Sequence, residues 1–330
     1  MKNSNRLNIF TWHIHGSYLY YLSQGDFNIY IPVKENKEEG YYGRGETFPF
    51  NDNVIEVESG DVRFLQLDCI LFQTNANYLV DQYEILSEEQ RKLPRIYLEH
   101  DPPLKQPADT RHIMNDPDVC LVHVTHYNKL MWDNGVPMVS VIEHGITSSP
   151  ATYSGHLNKG IVVINHLYQR GRKLGADIYD EVRKQVPLDL IGMGTEAYGG
   201  LGEVLHPDIP AFIGQYRFFF NPIRYTSLGL SFLEAMMMGL PVVALATTEY
   251  STVIENEKNG FVHTDIDYLV DKMKLLLDEP PLAEKIGLAG KQTVEQKYNI
   301  NRFTKDWETL FHFVIDNTKS SNHEKKISIY

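Results

Sequence analysis

Short apolar runs recur along the whole chain, separated by polar stretches that contain glycine, proline or charged residues. Continuous apolar runs of this length are typical of strands buried on both faces of a parallel sheet. They occur at 7–12, 27–33, 68–72, 95–99, 119–124, 138–142, 160–164, 188–191, 217–220 and 242–245. Helical spacing of apolar residues predicts helices at 19–23, 78–91, 126–132, 228–238, 265–278, 285–297 and 301–314. The alternation predicts an α/β fold with doubly wound sheets.

The length of the chain predicts two domains. A chain of 330 residues more often forms two domains of about 150 residues, each with its own core, than a single core. The stretch at 143–158 contains serine, proline and glycine, a composition that suits a hinge. We therefore expect one domain at 1–150, a second at 151–312 and a polar tail at 313–330.

Composition and charge narrow the class of protein. Lysine and arginine number 31 against 43 aspartate and glutamate residues, so the formal net charge is −12 and nucleic acid is not expected as a partner. No apolar run is long enough to cross a bilayer, and the first ten residues lack the apolar segment of a secretion signal. We expect a cytoplasmic protein. Cys69 and Cys120 lie in apolar runs and are expected to be core residues without a disulfide.

The stretch at 221–260 has the pattern of a binding site. A predicted strand is followed by a turn, a helix for which Ser227 is the expected N-cap, and a second buried strand. Gly239 supplies a left-handed C-terminal position, and Pro241 prevents the helix from continuing. Free backbone N–H groups before the helix, where Gly229 permits close approach, suit a phosphate or diphosphate.

Glu234 is the only charged residue between Arg224 and Glu249, and its neighbours in sequence are mostly apolar. A buried carboxylate needs partners, because burying it unpaired is costly. A vicinal diol could donate one hydrogen bond to each of its oxygens. Pairing with Arg224 or with a helix N-terminus would also satisfy it, and the spacing leaves these interpretations open.

The stretch SFLEAMMMGLPVVALATTEYSTVIENEKNGFV resembles the donor-site signature of retaining GT-B glycosyltransferases of family four. That signature has two glutamates separated by seven residues, then EAMA-G-PVV, then E-x-x-x-x-x-x-G. The resemblance implies the GT-B fold, in which two Rossmann-like doubly wound domains face a cleft. It implies that the N-terminal domain binds the acceptor and the C-terminal domain binds the nucleotide-sugar donor. It also implies that the last helices pack back on the first domain, through Phe303, Trp307, Leu310 and Phe311.

Within the signature, Glu234 matches the second glutamate, which in the family binds the ribose hydroxyls of the nucleotide. The family's preceding loop holds the diphosphate through its amides. Here the matching residues are Thr226, Ser227, Leu228, Gly229 and Leu230. Thr226 stands where the family has its first glutamate, which touches the donor sugar, so the chain departs from the family pattern at that position.

Two segments of the first half are similar to the family. The EHDPP stretch at 99–103 resembles the histidine-containing turn on the acceptor side, which implies that His100 lies beside the reacting sugar. Gly16 falls in the first strand-to-helix turn, where the family has a glycine-rich loop that approaches the donor phosphate.

Two segments of the second half are also similar to it. Arg170 and Lys173 fall in the family's phosphate-binding segment, although His166 stands where arginine is usual. Both would then stabilise the departing diphosphate, because negative charge builds on its oxygens as the glycosidic bond breaks. Gly194, in the GMG turn, matches a glycine loop beside the nucleotide.

A metal site is the competing interpretation of the 13 histidines. His13 and His15 would point the same way from a strand end, and His123 and His126 could also converge. No cysteine pair, HExxH helix or aspartate-rich loop completes such a site, and GT-B enzymes typically need no metal. We therefore expect neither a metal nor a cofactor, with the nucleoside diphosphate sugar as co-substrate.

The function expected from the resemblance is retaining transfer of a sugar from a nucleoside diphosphate to a carbohydrate, lipid-linked or small-molecule acceptor. A non-catalytic nucleotide-sugar binder, and a sugar epimerase or phosphorylase of the same fold, stay alternatives. A dehydrogenase is disfavoured because no GxGxxG follows a predicted strand. Weak peripheral contact with a membrane is compatible with the family. The predicted helix at 78–91 is acidic, however, whereas a surface-binding helix should be basic.

Overall fold

The structure, a computed structural model, describes residues 6–327 and the side chains of residues 6–318. It divides into two compact units. The first combines the residues up to Gly145 with those from Ile300 onward, and the second is Ile146–Asn299. The roles expected for the two domains, acceptor binding and donor binding, stay predictions.

The first unit is built on a seven-stranded parallel sheet in the order β3-β2-β1-β4-β5-β6-β7. Strand β1 pairs on one side with β2 and on the other with β4, so Ile9 lies between Ile29 and Cys69. The strands are β1 Asn8–Thr11, β2 Asn28–Val33, β3 Val54–Glu58, β4 Cys69–Phe72, β5 Arg95–Glu99, β6 Val119–His123 and β7 Met138–Val141. Both cysteines are buried and free, as predicted.

Short helices follow the strands of this unit. The first is α1, Gly16–Leu22, which turns Tyr18, Leu19, Tyr21 and Leu22 into the core. A π-helical turn at Asn77–Asp81 continues into α2, Gln82–Ile85, and α3 is His126–Met131. Thr125 caps α3, because its hydroxyl accepts the N–H of Asn128 at 3.0 Å.

The continuous helix predicted at 78–91 is wrong in its second half. The chain is extended at Leu86, and a separate 3₁₀ turn, Gln90–Lys92, follows. Ser87 and Gln90 form a reciprocal capping box: each side chain accepts the backbone N–H of the other residue, at 3.2 and 3.0 Å. This box begins a new element and thereby ends the helix before it.

The second unit has a five-stranded parallel sheet in the order β12-β11-β10-β8-β9. Its strands are β8 Leu157–Val163, β9 Leu188–Ile191, β10 Tyr216–Asn221, β11 Val242–Leu245 and β12 Phe261–His263. Strand order reverses between β8 and β10, which lie side by side although β9 comes between them in sequence. In doubly wound sheets, ligands bind at such a reversal, beyond the carboxyl ends of the strands.

Helices cover both faces of this second sheet. They are α4 Leu167–Arg170, α5 Ala176–Val182, α6 Ile209–Ile213, α7 Leu230–Met237, α8 Tyr250–Val253, α9 Ile266–Asp278 and α10 Pro280–Lys297. Phe218 and Phe220 of β10 are fully buried and pack in one core with residues of α5 and α9. This burial is the main force that fixes the loops at the strand ends.

Of the two predictions about the ends of α7, the one for its N-cap is wrong and the one for its C-terminus is confirmed. Gly229, not Ser227, is its N-cap, and no side chain caps it. At its C-terminus Gly239 has φ +80° and donates its N–H to the carbonyl of Met236, while Leu240 donates to that of Ala235. This pair of bonds is a Schellman motif, the ending that Gly239 and Pro241 predict.

The last helix, α11, spans Ile300–Ile327 and belongs to the first unit. The apolar face predicted from 301–314 is confirmed, because Phe303, Trp307, Leu310 and Phe311 are all buried. The indole N–H of Trp307 donates to the hydroxyl of Tyr18 at 3.0 Å.

The predicted α/β class, with two doubly wound parallel sheets, is confirmed. Among the described residues, no helix combines the length and apolar character needed to cross a bilayer.

Candidate functional site

The segments that follow β8 and β10 lie side by side at the reversal of strand order in the second sheet. The N–H groups of Arg224 and Tyr225 both donate to the carbonyl of Lys173, at 3.1 and 3.2 Å. Gly175 makes this approach possible, since a Cβ there would lie 2.1 Å from the carbonyl oxygen of Pro222 and its φ is +83°. The fold therefore joins the predicted basic turn to the predicted phosphate loop.

Arginine and aspartate side chains link the same two segments. The Arg224 guanidinium donates to both carboxylate oxygens of Asp177, at 2.5 and 2.8 Å, and to the carbonyl of Arg172 at 2.8 Å. Arg172 also forms an ion pair with Asp177. Hydrogen bonding from Arg224 lowers the pKa of Asp177 below its usual range. Arg224 therefore pairs with Asp177 and not with Glu234.

Glu234 lies on α7, and its side chain is only 11% exposed. Its Oε1 is 3.2 Å from Nε2 of His206, which lies in the loop before α6. A carboxylate only accepts hydrogen bonds, so Nε2 carries the proton. Of the interpretations left open by the sequence, pairing with Arg224 is wrong, and the observed partner is a histidine from another element.

The five residues of the predicted phosphate loop precede α7. Ser227 and Leu228 are buried, whereas Thr226, Gly229 and Leu230 are partly exposed. Gly229 has φ −72°, which any residue can adopt. A Cβ there would make only ordinary contacts, 3.7 Å from the Tyr250 hydroxyl and 3.9 Å from that of Ser231. Neither the backbone nor the packing requires glycine at this position.

Arg170 and Lys173 lie at the end of α4 and in the 3₁₀ turn that follows it. Arg170 is exposed at the end of α4, and Lys173 is partly buried in the 3₁₀ turn Gly171–Leu174. Both belong to the second unit, as do Thr226–Leu230 and Glu234. The structure thus brings the donor-side residues predicted from this half of the chain to one edge of one sheet.

The GMG turn after β9 also contacts the segment after β8. Met193 exchanges two hydrogen bonds with it: its N–H donates to Oδ1 of Asn165 at 2.9 Å, and its carbonyl accepts the N–H of His166 at 2.8 Å. Gly194, with φ +71°, packs so closely that a Cβ would lie 2.9 Å from Nδ1 of His166. His166 is itself left-handed, with φ +54°, a conformation uncommon for a residue with a side chain.

Gly16 and His100 belong to the first unit. Gly16 begins α1, and a Cβ there would lie 2.2 Å from the ring of Phe48, so packing alone accounts for this glycine. Its donor role stays a prediction.

His100 lies just beyond β5, partly buried between other polar aromatic groups. Its Nε2 is 3.1 Å from Oε1 of Gln73, and its ring centroid is 3.9 Å from that of His15. Because the amide of Gln73 donates to the carbonyl of Trp12 at 2.8 Å, its oxygen faces His100, and Nε2 of His100 carries the proton. Burial, with the nearby rings of His15 and His144, holds the pKa of His100 well below 6.5. His100 is therefore an uncharged hydrogen-bonding group at neutral pH.

The other histidines considered for metal binding do not share a site. Nδ1 of His13 contacts the carbonyl of Gly43 at 2.6 Å, whereas the ring of His15 lies against that of His100, tilted by 48°. His123 is buried against Asn134, and His126 is exposed. Among the described residues, no group of three or more histidine, cysteine, aspartate or glutamate side chains has the geometry to hold a metal.

Three residues of this region were not singled out from the sequence: His206, Asp177 and Gly175. Asp177 carried a signal, because an acidic residue in the first turn of a helix beside basic residues predicts an ion pair. Gly175 follows a basic turn and directly precedes α5, a position typical of a close approach. His206 carried no local signal, since its partner is 28 residues away.

Comparison with known proteins agrees with this architecture. Residues 173–279 match the family model "Glycosyl transferases group 1". A poly(ribitol-phosphate) alpha-N-acetylglucosaminyltransferase from Staphylococcus aureus (strain COL) is 33% identical over 92 residues, which is 27% of this chain and 18% of that protein. The chain spans between 12% and 60% of the length of four curated relatives that it matches.

Solved structures extend the likeness to nearly the whole chain. Sucrose-phosphate synthase from Thermosynechococcus elongatus has a TM-score of 0.70 at 13% identity and covers 94% of this chain and 100% of its own. Anabaena HepE in complex with UDP and glucose has a TM-score of 0.62 at 15% identity, over 93% and 99% of the two chains. Identities this low show the fold alone. The chain thus has the GT-B fold, and its residues 173–279 match the glycosyl transferases group 1 family.

Proposed function

We propose that the chain is a glycosyltransferase that moves a sugar from a nucleoside diphosphate to a carbohydrate, lipid-linked or small-molecule acceptor, with retention of configuration. The observation that carries this proposal is the reversal of strand order in the second sheet. There a basic turn, an amide-bearing loop and a nearly buried carboxylate follow the neighbouring strands β8 and β10.

Each part of this arrangement suits one part of the donor. Arg170, Lys173 and the amides around Gly229 would face the diphosphate and stabilise the charge that develops as it departs. Glu234 would accept hydrogen bonds from the two ribose hydroxyls. Catalysis would then consist mainly of positioning and electrostatic stabilisation. We assign His100 to the neighbourhood of the reacting sugar, where its lowered pKa makes it a neutral hydrogen-bonding group.

Titration with UDP, GDP and ADP, followed by thermal unfolding, tests the donor site. UDP comes first because HepE, which shares the fold, was solved with it. A ligand that binds only the native state at 100 times its Kd adds about 2.7 kcal/mol to the free energy of unfolding. We expect one nucleotide to stabilise the wild type and to lose most of this effect in Glu234→Ala. Glu181→Ala, which removes an exposed carboxylate on α5, is the matched control.

The outcomes separate the proposal from its alternatives. If no nucleotide stabilises the wild type, or Glu234→Ala responds like the control, the donor site is wrong. A nucleotide sugar that stabilises the protein but is never turned over would favour a non-catalytic binding protein. Thr226, which stands where the family has a glutamate, is the feature that favours this alternative. Product formed without an added acceptor would indicate an epimerase, and dependence on inorganic phosphate would indicate a phosphorylase.

A further inference from the structure

His206 and Glu234 approach each other from different elements. His206 precedes α6, Glu234 lies within α7, and the distance from Nε2 to Oε1 is 3.2 Å. Their side chains are 15% and 11% exposed. A hydrogen bond to a charged group is stronger where water is largely excluded, so this contact has more effect on geometry than a surface pair would have.

The backbone around His206 fixes where the imidazole lies. The carbonyl of Leu205 accepts the N–H groups of Asp208 and Ile209, at 2.9 and 3.2 Å, which closes a tight turn. Proline follows His206 directly, and a second proline lies in the first turn of α6. Since α6 packs against α7, the histidine is held at a constant place relative to the helix that carries Glu234.

An imidazole constrains a carboxylate differently from an arginine. A guanidinium can engage both carboxylate oxygens at once, as Arg224 does with Asp177. His206 reaches Oε1 of Glu234 with one N–H. It can therefore orient the carboxylate without hydrogen bonding to both of its oxygens, an arrangement that would compete with a diol.

We propose that His206 is a positioning residue that orients Glu234 for the ribose hydroxyls of the nucleotide. The inference rests on the proposed function, because it assigns the ribose to Glu234. Removing the imidazole would leave the flexible glutamate side chain with one fixed contact fewer, and nucleotide affinity would fall by the cost of ordering it. The effect belongs to donor binding and not to the chemical step.

Three substitutions at 206 test this role. Gln places an N–H close to the position of imidazole Nε2, whereas the shorter Asn mimics Nδ1, and Ala removes both. We expect His206→Ala and His206→Asn to raise the Kd of the stabilising nucleotide, and the KM of its sugar, about tenfold, the size of a lost hydrogen bond to a charged group. His206→Gln should restore affinity to within about threefold of wild type, and kcat should change less than about twofold in all three.

Controls separate failure of this inference from failure of the proposed function. His156→Gln removes an exposed imidazole at the amino-terminal end of β8, the opposite edge of the sheet, and should change nothing. In the background of Glu234→Ala, His206→Ala should have no further effect on Kd. If Glu234→Ala itself leaves Kd unchanged, the donor site is misassigned.

If Glu234→Ala weakens binding but His206→Ala does not, only the positioning role is overturned. It is also overturned if Gln and Asn at 206 behave alike. Those two variants keep a polar side chain, so their comparison stays informative if His206→Ala does not fold.

Discussion

His123, at the end of β6, is a titratable residue buried with no exposed surface. Its Nε2 donates to Oδ1 of Asn134 at 2.6 Å, and the amide group of Asn134 donates to the carbonyls of Lys129 and Trp132. This network satisfies Nε2 of the neutral imidazole, whereas Nδ1 is buried without a hydrogen-bond partner among the described residues. Burial lowers the pKa of His123 to about 4, so the folded chain resists its protonation.

This pKa predicts acid sensitivity of the first unit. Because the folded pKa lies below the unfolded value of about 6.5, the unfolded state binds more protons between these two pH values, and stability falls as pH drops through that window. The full loss is about 3 kcal/mol at about 1.4 kcal/mol per pKa unit. Urea unfolding at pH 7.5 and 4.5 should show a smaller loss in His123→Gln than in wild type. His126→Gln, at an exposed neighbour, should lose as much as wild type, and equal losses in all three would contradict the assignment.

For single residues, the sequence identified side chains with a proposed functional role but not the residues that they contact. Glu234 could be singled out because a lone charge in an apolar helix is an anomaly that sequence alone displays. Its partner His206 could not, because that contact depends on the packing of α6 against α7. The same limit applies to Arg224, whose partner Asp177 is 47 residues away.

Among the elements, the loop before α7 and the segment before α5 each contain a glycine, and the two glycines differ in the reason for their presence. Gly175 is required by the fold, because its φ is +83° and a Cβ would collide with the backbone of Pro222. Gly229 is not, because a Cβ there would meet nothing closer than 3.7 Å. Because the fold does not require a glycine at position 229, we attribute this glycine to ligand binding.

This contrast gives a paired prediction. Gly175→Ala should lower the free energy of unfolding by about 2 kcal/mol or more, through left-handed strain and the collision with Pro222. Gly229→Ala should cost about 1 kcal/mol or less but weaken nucleotide binding about tenfold, because the methyl group would stand among the amides proposed for the diphosphate. Denaturant unfolding and calorimetric titration measure the two effects. A Gly229→Ala protein with wild-type affinity would remove this glycine from the site.

The elements themselves were largely predictable wherever burial was continuous. β5, β9 and β11 have the bounds that their apolar runs predict. β3 was not predicted, because at the sheet edge only Val54 is buried, and the strand carries the exposed residues Glu56 and Glu58. The capping box at Ser87 and Gln90 is recognisable in the sequence, but the helical periodicity of 78–91 favoured one continuous helix.

For the whole molecule, the class of fold follows from alternation of strands and helices, but strand order does not. Nothing in the sequence of β8, β9 or β10 says that β8 pairs with both of the others. That pairing creates the reversal at which the proposed donor site lies. The resemblance to a known family supplied what local patterns could not.

The second unit is continuous in sequence, whereas the first is interrupted by it. Its two ends lie together, since the N–H of Ile146 donates to the carbonyl of Tyr298 at 2.7 Å and Ile146 forms a bridge with Asn299. We expect a fragment of residues 146–299, expressed alone, to fold and to bind the nucleotide within about threefold of the full chain, because the proposed nucleotide contacts of the basic turn, loop and Glu234 all lie in it. Circular dichroism and calorimetry would check this, and an unfolded fragment would contradict it.

The same interruption sets an order of events during synthesis. The strands of the first sheet emerge from the ribosome before the second unit, yet the helix that supplies Trp307 and Phe311 to its core is translated after that unit. The inserted unit, with its two ends already joined, can reach its native state while the first unit still waits for α11. Until then the apolar surface around Tyr18 and Phe27, which that helix covers, is open to chaperones and proteases.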